Sequence, residues 1–487
     1  MTVSLARLLA YPRTEPRTAI VLVAGVLFAI LTALALGGSS TPMRIVAVAG
    51  LIATPVAAYL ALKHPIVFPY GLYVLLMPYD VLLVTHGSST LTKALGEVSG
   101  LVCLFYCLRV RQIAPLRRPL TILVLLLIWM SLGALWSVGT DDTLTWLKTY
   151  FGLALLYGAL ALTPVSARDF QIAMGTVAVA FSVAAIFGIH AFYHDPAFHA
   201  VGDLDQQRIS LKLGNTEIDQ NHFANAFLFP IAVLIASLLR TRWLAIKGAC
   251  AVGIGLMVAA MLASGSREAF LALAAMFAYF LWRGRDRVQL LALCAICALF
   301  AAPFAGVLFG RFALLFQQGP QGRASIWSVG MVAIKHYWLM GSGLGTFPAV
   351  YDRFYLAVAQ LHPDGWTRPP HDLIIHYAVE VGFVGLALIV WFYVAHFGML
   401  RGIGRDHPYY DYRVMVEAGL VGIAIASLFI DLFTYKYAWL VFASAAQVAY
   451  LASTVRRVAV GSATRHAPNF RQSQHLPVLR PDRVESA

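Results

Sequence analysis

The sequence predicts an all-α protein, a polytopic transmembrane helical bundle. Three observations carry this. Apolar residues make up 60% of the chain and charged residues only 12%, whereas a soluble domain carries about 25% charged residues. Apolar runs close to the roughly 20 residues that a bilayer requires recur along the chain. Basic residues collect in short clusters between those runs, and they favour alternate connections.

Taken in order, hydropathy gives about fourteen spans. The first seven are Ala19–Leu36, Met43–Leu62, Ile66–Val84, Leu95–Leu108, Leu120–Trp136, Leu147–Leu162 and Phe170–Phe192. The other seven are His222–Leu239, Leu244–Leu262, Glu268–Leu281, Val288–Leu308, Leu373–Leu400, Val414–Phe433 and Ala438–Thr454. The fourth and tenth are the shortest. The N-terminus has a basic start and an apolar run ending in small residues, which reads as an uncleaved first helix because so many spans follow it. The tail 456–487 is basic, rich in Pro, Ser and Gln, and lacks apolar periodicity, so it is expected to be disordered. Residues 1–455 are then expected to form one membrane domain. No internal repeat is visible.

Charge sets the orientation. One side holds Arg109, Arg111, Arg117 and Arg118, then Arg240, Arg242 and Lys247, then Arg283, Arg285 and Arg287, and the tail. The short connections on the other side hold only Arg44, Lys93, Lys148, Arg267 and Lys436. By the positive-inside rule both termini are cytoplasmic. The net charge of +13 is therefore a matter of topology. It forms no continuous basic, aromatic-interleaved track for nucleic acid, and membrane lipids are the expected surroundings. Cys103, Cys107, Cys250, Cys294 and Cys297 all lie within apolar runs, so the CxxC spacing of the last two reads as core packing.

Two long connections fall outside, His194–Asn221 and the insert Phe309–Pro370. Inserts of this size without their own continuous hydrophobicity are usually functional. The second contains GRASIWSVGMVAIKHYW, expected to form an amphipathic helix on the membrane surface, followed by the sharp turns of MGSGLGTF.

Three polar clusters share the outer face. Asp219-Gln220-Asn221-His222 opens the eighth span, Ser264-Gly265-Ser266-Arg267-Glu268 the tenth, and Arg368-Pro369-Pro370-His371-Asp372 the twelfth. Helix N-termini expose N–H groups and partial positive charge that favour anions. With Arg267, Arg323 and Arg368 added, the face suits phosphate or diphosphate. The plainer alternative makes Asp219, Asn221, Ser264 and Ser266 ordinary N-caps, Arg267 an interfacial side chain and His371 a loop histidine. As a base, His371 has the advantage that imidazole titrates near neutrality. Glu380 lies nine residues on, about 180° around a helix, and is expected to be structural, bonding to a neighbouring helix. His376, about 140° from His371, is expected to tolerate substitution. No outer His/Asp/Glu cluster has metal-ligand spacing.

These residues have a family resemblance. Gly322-Arg323 through Trp327, the run Gly341-Ser342-Gly343-Leu344-Gly345-Thr346-Phe347, Pro370-His371-Asp372 and Glu380-Val381-Gly382 resemble motifs of the O-antigen ligase/polymerase family. Ser264-Gly265-Ser266-Arg267 and Asp219-Gln220-Asn221-His222-Phe223-Ala224 match its upstream elements, so the resemblance covers roughly Arg208 to Leu388. Asp372 stands where the family often has Asn, and the family's ligases are usually drawn with about two fewer spans. The resemblance implies a type C glycosyltransferase of the bacterial inner membrane with a periplasmic site. Such an enzyme moves a glycan from a polyprenyl-diphosphate carrier to a hydroxyl of a saccharide or lipid-linked saccharide acceptor, without cofactor or metal and with inversion. Implied roles are His371 as general base and Arg267, assisted by Arg323, on the departing diphosphate. Arg368, Arg208, Asp219, Asn221 and Ser266 would complete the substrate site, and Trp327, Tyr351, Tyr355 and Trp366 would grip saccharide. A polysaccharide transporter is the alternative. It would concentrate its polar residues near the midplane, where this chain is nearly charge-free.

Overall fold

The computed structural model describes residues 54–84, 90–194, 208–213, 216–306, 309–310, 313, 323–358 and 370–465. The first predicted span, Trp366, Arg368 and the tail after 465 lie outside these residues. The protein is helical, and its one ladder among the described residues is a minimal antiparallel hairpin, β1 (Lys212–Leu213) with β2 (Thr216–Glu217).

Six helices are long and apolar enough to cross a membrane: Leu91–Val110, Ala167–His194, Gln220–Arg240, Leu244–Ala263, Gly382–Leu400 and Lys436–Val455. Shorter apolar helices cover Tyr70–Leu82, Arg118–Gly133 and Arg287–Phe300. In chain order the helices used below are α1 (Tyr70–Leu76), α2 (Leu91–Val110), α3 (Arg118–Gly133), α4 (Thr140–Leu162) and α5 (Ala167–His194). Next come α6 (Gln220–Asn225), α7 (Leu228–Arg240), α8 (Leu244–Ala263), α9 (Arg267–Arg283) and α10 (Arg287–Ala301). The remainder are α11 (Arg323–Tyr337), α12 (Phe347–Tyr355), α13 (Leu373–Glu380), α14 (Gly382–Leu400), α15 (Tyr410–Ser427) and α16 (Lys436–Arg465).

Helices α7 and α9 pack on α15, α8 on α5, α7 and α10, α2 on α4, and α3 on α14. The most enclosed membrane-length segments are Gln220–Arg240 and Lys436–Val455, each 78% buried against 33% for Leu91–Val110. These two segments thus hold the centre, and α2 faces outward. At one end a buried ion pair locks α15. Arg413 Nε lies 2.8 Å from Glu417 Oε1, and Tyr279 of α9 donates to the other Glu417 oxygen at 2.8 Å.

Two of the interrupted predicted spans bear on the site. Ile66–Val84 is not one helix: α1 gives way to a 3-10 turn, Met77–Leu82, in a stretch where Pro65, Pro69 and Pro78 each lack an amide donor. Leu373–Leu400 is split at Val381 into α13 and α14, because Gly382 adopts φ 66°. A Cβ there would sit 2.2 Å from the Leu339 carbonyl oxygen. That close approach explains the glycine two residues after Glu380.

The amphipathic helix expected in the insert is α11. Ile326, Val329 and Ala333, at helical spacing, join Phe347, Val350, Tyr351, Phe354 and Val379 in a second small core. Its apolar stripe is therefore covered by α12 and α13.

Candidate active site

The site is built around a glycine loop, residues 341–346, clamped on both sides. Gly341, Gly343 and Gly345 take φ 80°, 108° and 76°, a region in which any larger residue is strained. One edge runs along the end of α13, where Ser342 N donates to Val379 O at 2.8 Å and Gly343 N to Glu380 O at 2.9 Å. The other edge meets the connection between α3 and α4. There Val138 N donates to Ser342 O at 2.8 Å and Thr143 Oγ1 to Leu344 O at 2.9 Å.

The Glu380 carboxylate closes the clamp. Oε2 accepts from Gly345 N at 2.7 Å and Oε1 from Phe347 N at 3.0 Å. Its partners are thus one loop amide and the first amide of the neighbouring helix α12. His376 Nε2 also lies 3.1 Å from Glu380 Oε1, and His376 Nδ1 lies 3.1 Å from Asp431 Oδ2. Tyr377 donates to Asp431 at 3.1 Å and is itself bonded to Tyr150.

His371 does not continue that helix. It has φ 49° and precedes the N-cap Asp372, whose side chain accepts from Ile375 N at 2.8 Å. A helical wheel extended back to His371 therefore gives the wrong face for its neighbours. His371, His376 and Glu380 all line one cavity of about 200 Å³, together with Trp146, His222 and Tyr435. His376, expected to point elsewhere and to be replaceable, is part of this wall. Trp327 of α11 donates to Pro370 O at 3.2 Å and so pins the chain just before His371.

Two further cavities adjoin it. One, of about 250 Å³, has mainly apolar walls from Met77, Val81, Phe181, Ile218, Phe223 and Phe227, and it shares His222 and Tyr435 with the first. The other, of about 260 Å³, is polar and shares Trp146, Thr434 and Tyr435. The rings of His222 and Tyr435 stack at 3.7 Å and 22° where the spaces meet.

The upstream clusters also come together. Arg208 Nε donates to Ser264 O at 2.8 Å, and Arg208 Nη2 to Asn221 Oδ1 at 2.6 Å. Asp219 caps α6 by accepting from Asn221 N at 2.9 Å and His222 N at 3.1 Å. Ser266 caps α9 by accepting from Ala269 N at 3.4 Å. These helix ends are thus partly satisfied by their own side chains, as is α13 by Asp372. Arg267 begins α9 beside this cluster and is not among the residues lining the three cavities.

Arg323 opens α11. Tyr351 is 3% exposed, with its ring packed between Phe347 and Tyr355. It supports α12 in this arrangement and offers no face to a sugar, contrary to the sequence reading. Tyr355 is half-buried beside it. Among the described residues no three His, Cys, Asp or Glu side chains are placed to hold a metal ion.

Sequence reasoning missed Asp80 and Tyr435, gave Asp431 little weight and took Lys436 only as a topology signal. Lys436 was visible as one of the few cations on its side of the membrane, within Tyr435-Lys436-Tyr437 at the start of an apolar run.

Residues 252–390 match the family described as O-antigen ligase. That segment contains the motifs from Ser264 to Gly382, whereas Arg208 and Asp219–Ala224 precede it. No curated protein matches the sequence.

Proposed function

From a chain whose residues 252–390 match the O-antigen ligase family, we infer a membrane glycosyltransferase of cell-surface polysaccharide assembly. It moves a glycan from a polyprenyl-diphosphate carrier to an acceptor hydroxyl. One observation supports this most: His371 lines a cavity that shares His222 and Tyr435 with an adjoining apolar-walled one. A titratable base therefore stands beside space suited to a prenyl carrier.

In the proposed step the acceptor oxygen attacks the anomeric carbon of the donor sugar. The new C–O bond forms as the bond to the diphosphate oxygen breaks, and the hydroxyl proton passes to His371. Arg267 and Arg323 neutralise the departing diphosphate. Arg208 positions Asn221 and the Ser264 turn, and so holds the start of α9 against α6. Trp327 holds the His371 backbone, while Trp366, Arg368 and Tyr355 serve the saccharide and diphosphate from the insert. Attack opposite the leaving group inverts the anomeric centre, and no enzyme nucleophile, metal or cofactor takes part.

The same reading places about fourteen spans in the bacterial inner membrane, with both termini cytoplasmic and the site periplasmic. Reporter fusions test it: those at Gly202, Gly319 and Asp364 should score periplasmic and those at Arg285 and Arg465 cytoplasmic. A cytoplasmic score at Asp364 removes the shared-face argument.

The function is tested with purified protein and polyprenyl-diphosphate oligosaccharide. Chain growth from the donor alone identifies polymerisation, and transfer only after an acceptor lipid is added identifies ligation. Absence of both, with intact protein, contradicts the reading.

A further inference from the structure

The polar cavity beside the His371 cavity is assembled from five helical elements. Tyr73 comes from α1, Asp80 from the 3-10 turn, Thr92 and Glu97 from α2, Trp146 from α4 and Lys436 from α16. At its base Lys436 Nζ donates to Asp80 Oδ1 at 2.5 Å and to Thr92 Oγ1 at 2.8 Å, while Thr90 donates to the same Asp80 oxygen at 2.6 Å. The Lys436 and Asp80 side chains are 17% and 27% exposed, so the network is set in advance and still reaches the cavity. Trp146, at the seam with the His371 cavity, is 39% exposed.

The charges decide what this space recognises. Lys93 and Lys436 are balanced by Asp80 and Glu97, whereas a phosphate or diphosphate site carries excess cation. Balanced donors and acceptors, threonine hydroxyls and an accessible indole match a ring with equatorial hydroxyls and apolar C–H faces. A prenyl chain is better served by the apolar cavity on the other side.

We propose that this cavity is a subsite for an uncharged sugar residue one unit removed from the reacting sugar, with Trp146 as its stacking platform. The proposal rests on the transferase reading given above. The sugar belongs either to the donor glycan or to the acceptor, and its binding in both cases favours longer substrates over shorter ones.

Gly152 of α4 lines the cavity, and a Cβ there would meet only Glu97 Oε1, at an ordinary 3.8 Å. Gly152→Phe therefore fills the subsite from an unstrained helical position, with Gly152→Ala as its control. Glu97→Gln keeps shape and removes one charge. Two series are run on the full-length protein. In one, polyprenyl-diphosphate donors carry one sugar or two; in the other, acceptors carry or lack a second sugar. In whichever series supplies the ligand, the second sugar should raise wild-type kcat/KM by about tenfold or more. Gly152→Phe should erase that gain while turning over the shortest substrate within about twofold of wild type, and Glu97→Gln should reduce it.

Saturation-transfer NMR with oligosaccharide released from the cell's own polyprenyl-diphosphate pool gives a second readout. Binding should be present in wild type and Gly152→Ala and lost in Gly152→Phe. Binding with this pattern but without any transfer supports the subsite and contradicts the transferase reading. A length gain that survives in Gly152→Phe, no gain in either series from an active wild type, or equal binding by Gly152→Phe overturns the subsite.

Discussion

Glu380 and Gly345 are 35 residues apart in sequence and directly joined, carboxylate to backbone amide, at 2.7 Å. A second bond from the same carboxylate to Phe347 N fixes where the glycine loop ends and α12 begins. Glu380 is 2% exposed, so water does not replace what it provides.

Glu380→Gln should be strongly destabilising. A neutral amide has one acceptor oxygen for two N–H groups, and its NH2 faces a donor. Hydrogen bonds to charged groups contribute about 1.5–3 kcal/mol each. A fall of several degrees in the melting midpoint of the detergent-purified protein is expected, together with loss of transfer. An unchanged midpoint would show that the loop is held by its other bonds.

Gly345→Ala tests the loop from the opposite side. A Cβ at Gly345 would lie 2.0 Å from Trp146 Cδ1, at a backbone φ of 76°. The strain of φ > 0 alone costs about 1 kcal/mol or more, and Trp146 must also move. Activity should fall much further than stability, because Trp146 lines both the His371 cavity and the polar one. Equal activity of the variant and wild type, measured by single-turnover transfer, contradicts this.

His376 joins Glu380 to Asp431, with one ring nitrogen 3.1 Å from each. His376→Gln should lower the melting midpoint of the detergent-purified protein and reduce transfer, because the amide cannot reach both carboxylates. An unchanged midpoint would show that the imidazole does not hold the Glu380–Asp431 pair.

Much of this arrangement could be read from the chain. The helix starts at Asp219, Ser266 and Asp372 follow from short polar residues ahead of apolar runs, and each side chain accepts a backbone amide. The turns at Gly341, Gly343 and Gly345 follow from glycine's freedom at positive φ. What could not be read depends on long-range assembly. Asp80 and Lys436 are separated by 356 positions, and no local pattern announces their pairing. His376 and Glu380 were placed by a helical wheel run through His371, but the backbone leaves the helical region at that residue. Tyr351 looked like a sugar platform because loop aromatics often are. Its place in the small core of α11, α12 and α13 depends on how those three helices dock.

Arg267 is expected to act on charge more than on folding. Arg267→Ala should abolish transfer with normal expression and membrane insertion. Arg267→Lys should retain partial activity, because it keeps the charge and loses the planar two-point contact with a diphosphate oxygen pair. Full activity of the alanine variant rules out its role in holding the diphosphate.

The most direct test of the central claim is transfer by His371→Ala and His371→Gln, measured beside donor binding by the same preparations. A general base contributes about 10²–10⁴-fold to rate and little to folding. Both variants should therefore lose transfer to that extent while binding polyprenyl-diphosphate oligosaccharide as wild type does. Wild-type transfer should also decline as the pH is lowered and the imidazole takes up its proton, with donor binding maintained. Substantial transfer by His371→Gln, or loss of donor binding by His371→Ala, would contradict the account and leave His371 a binding or positioning residue.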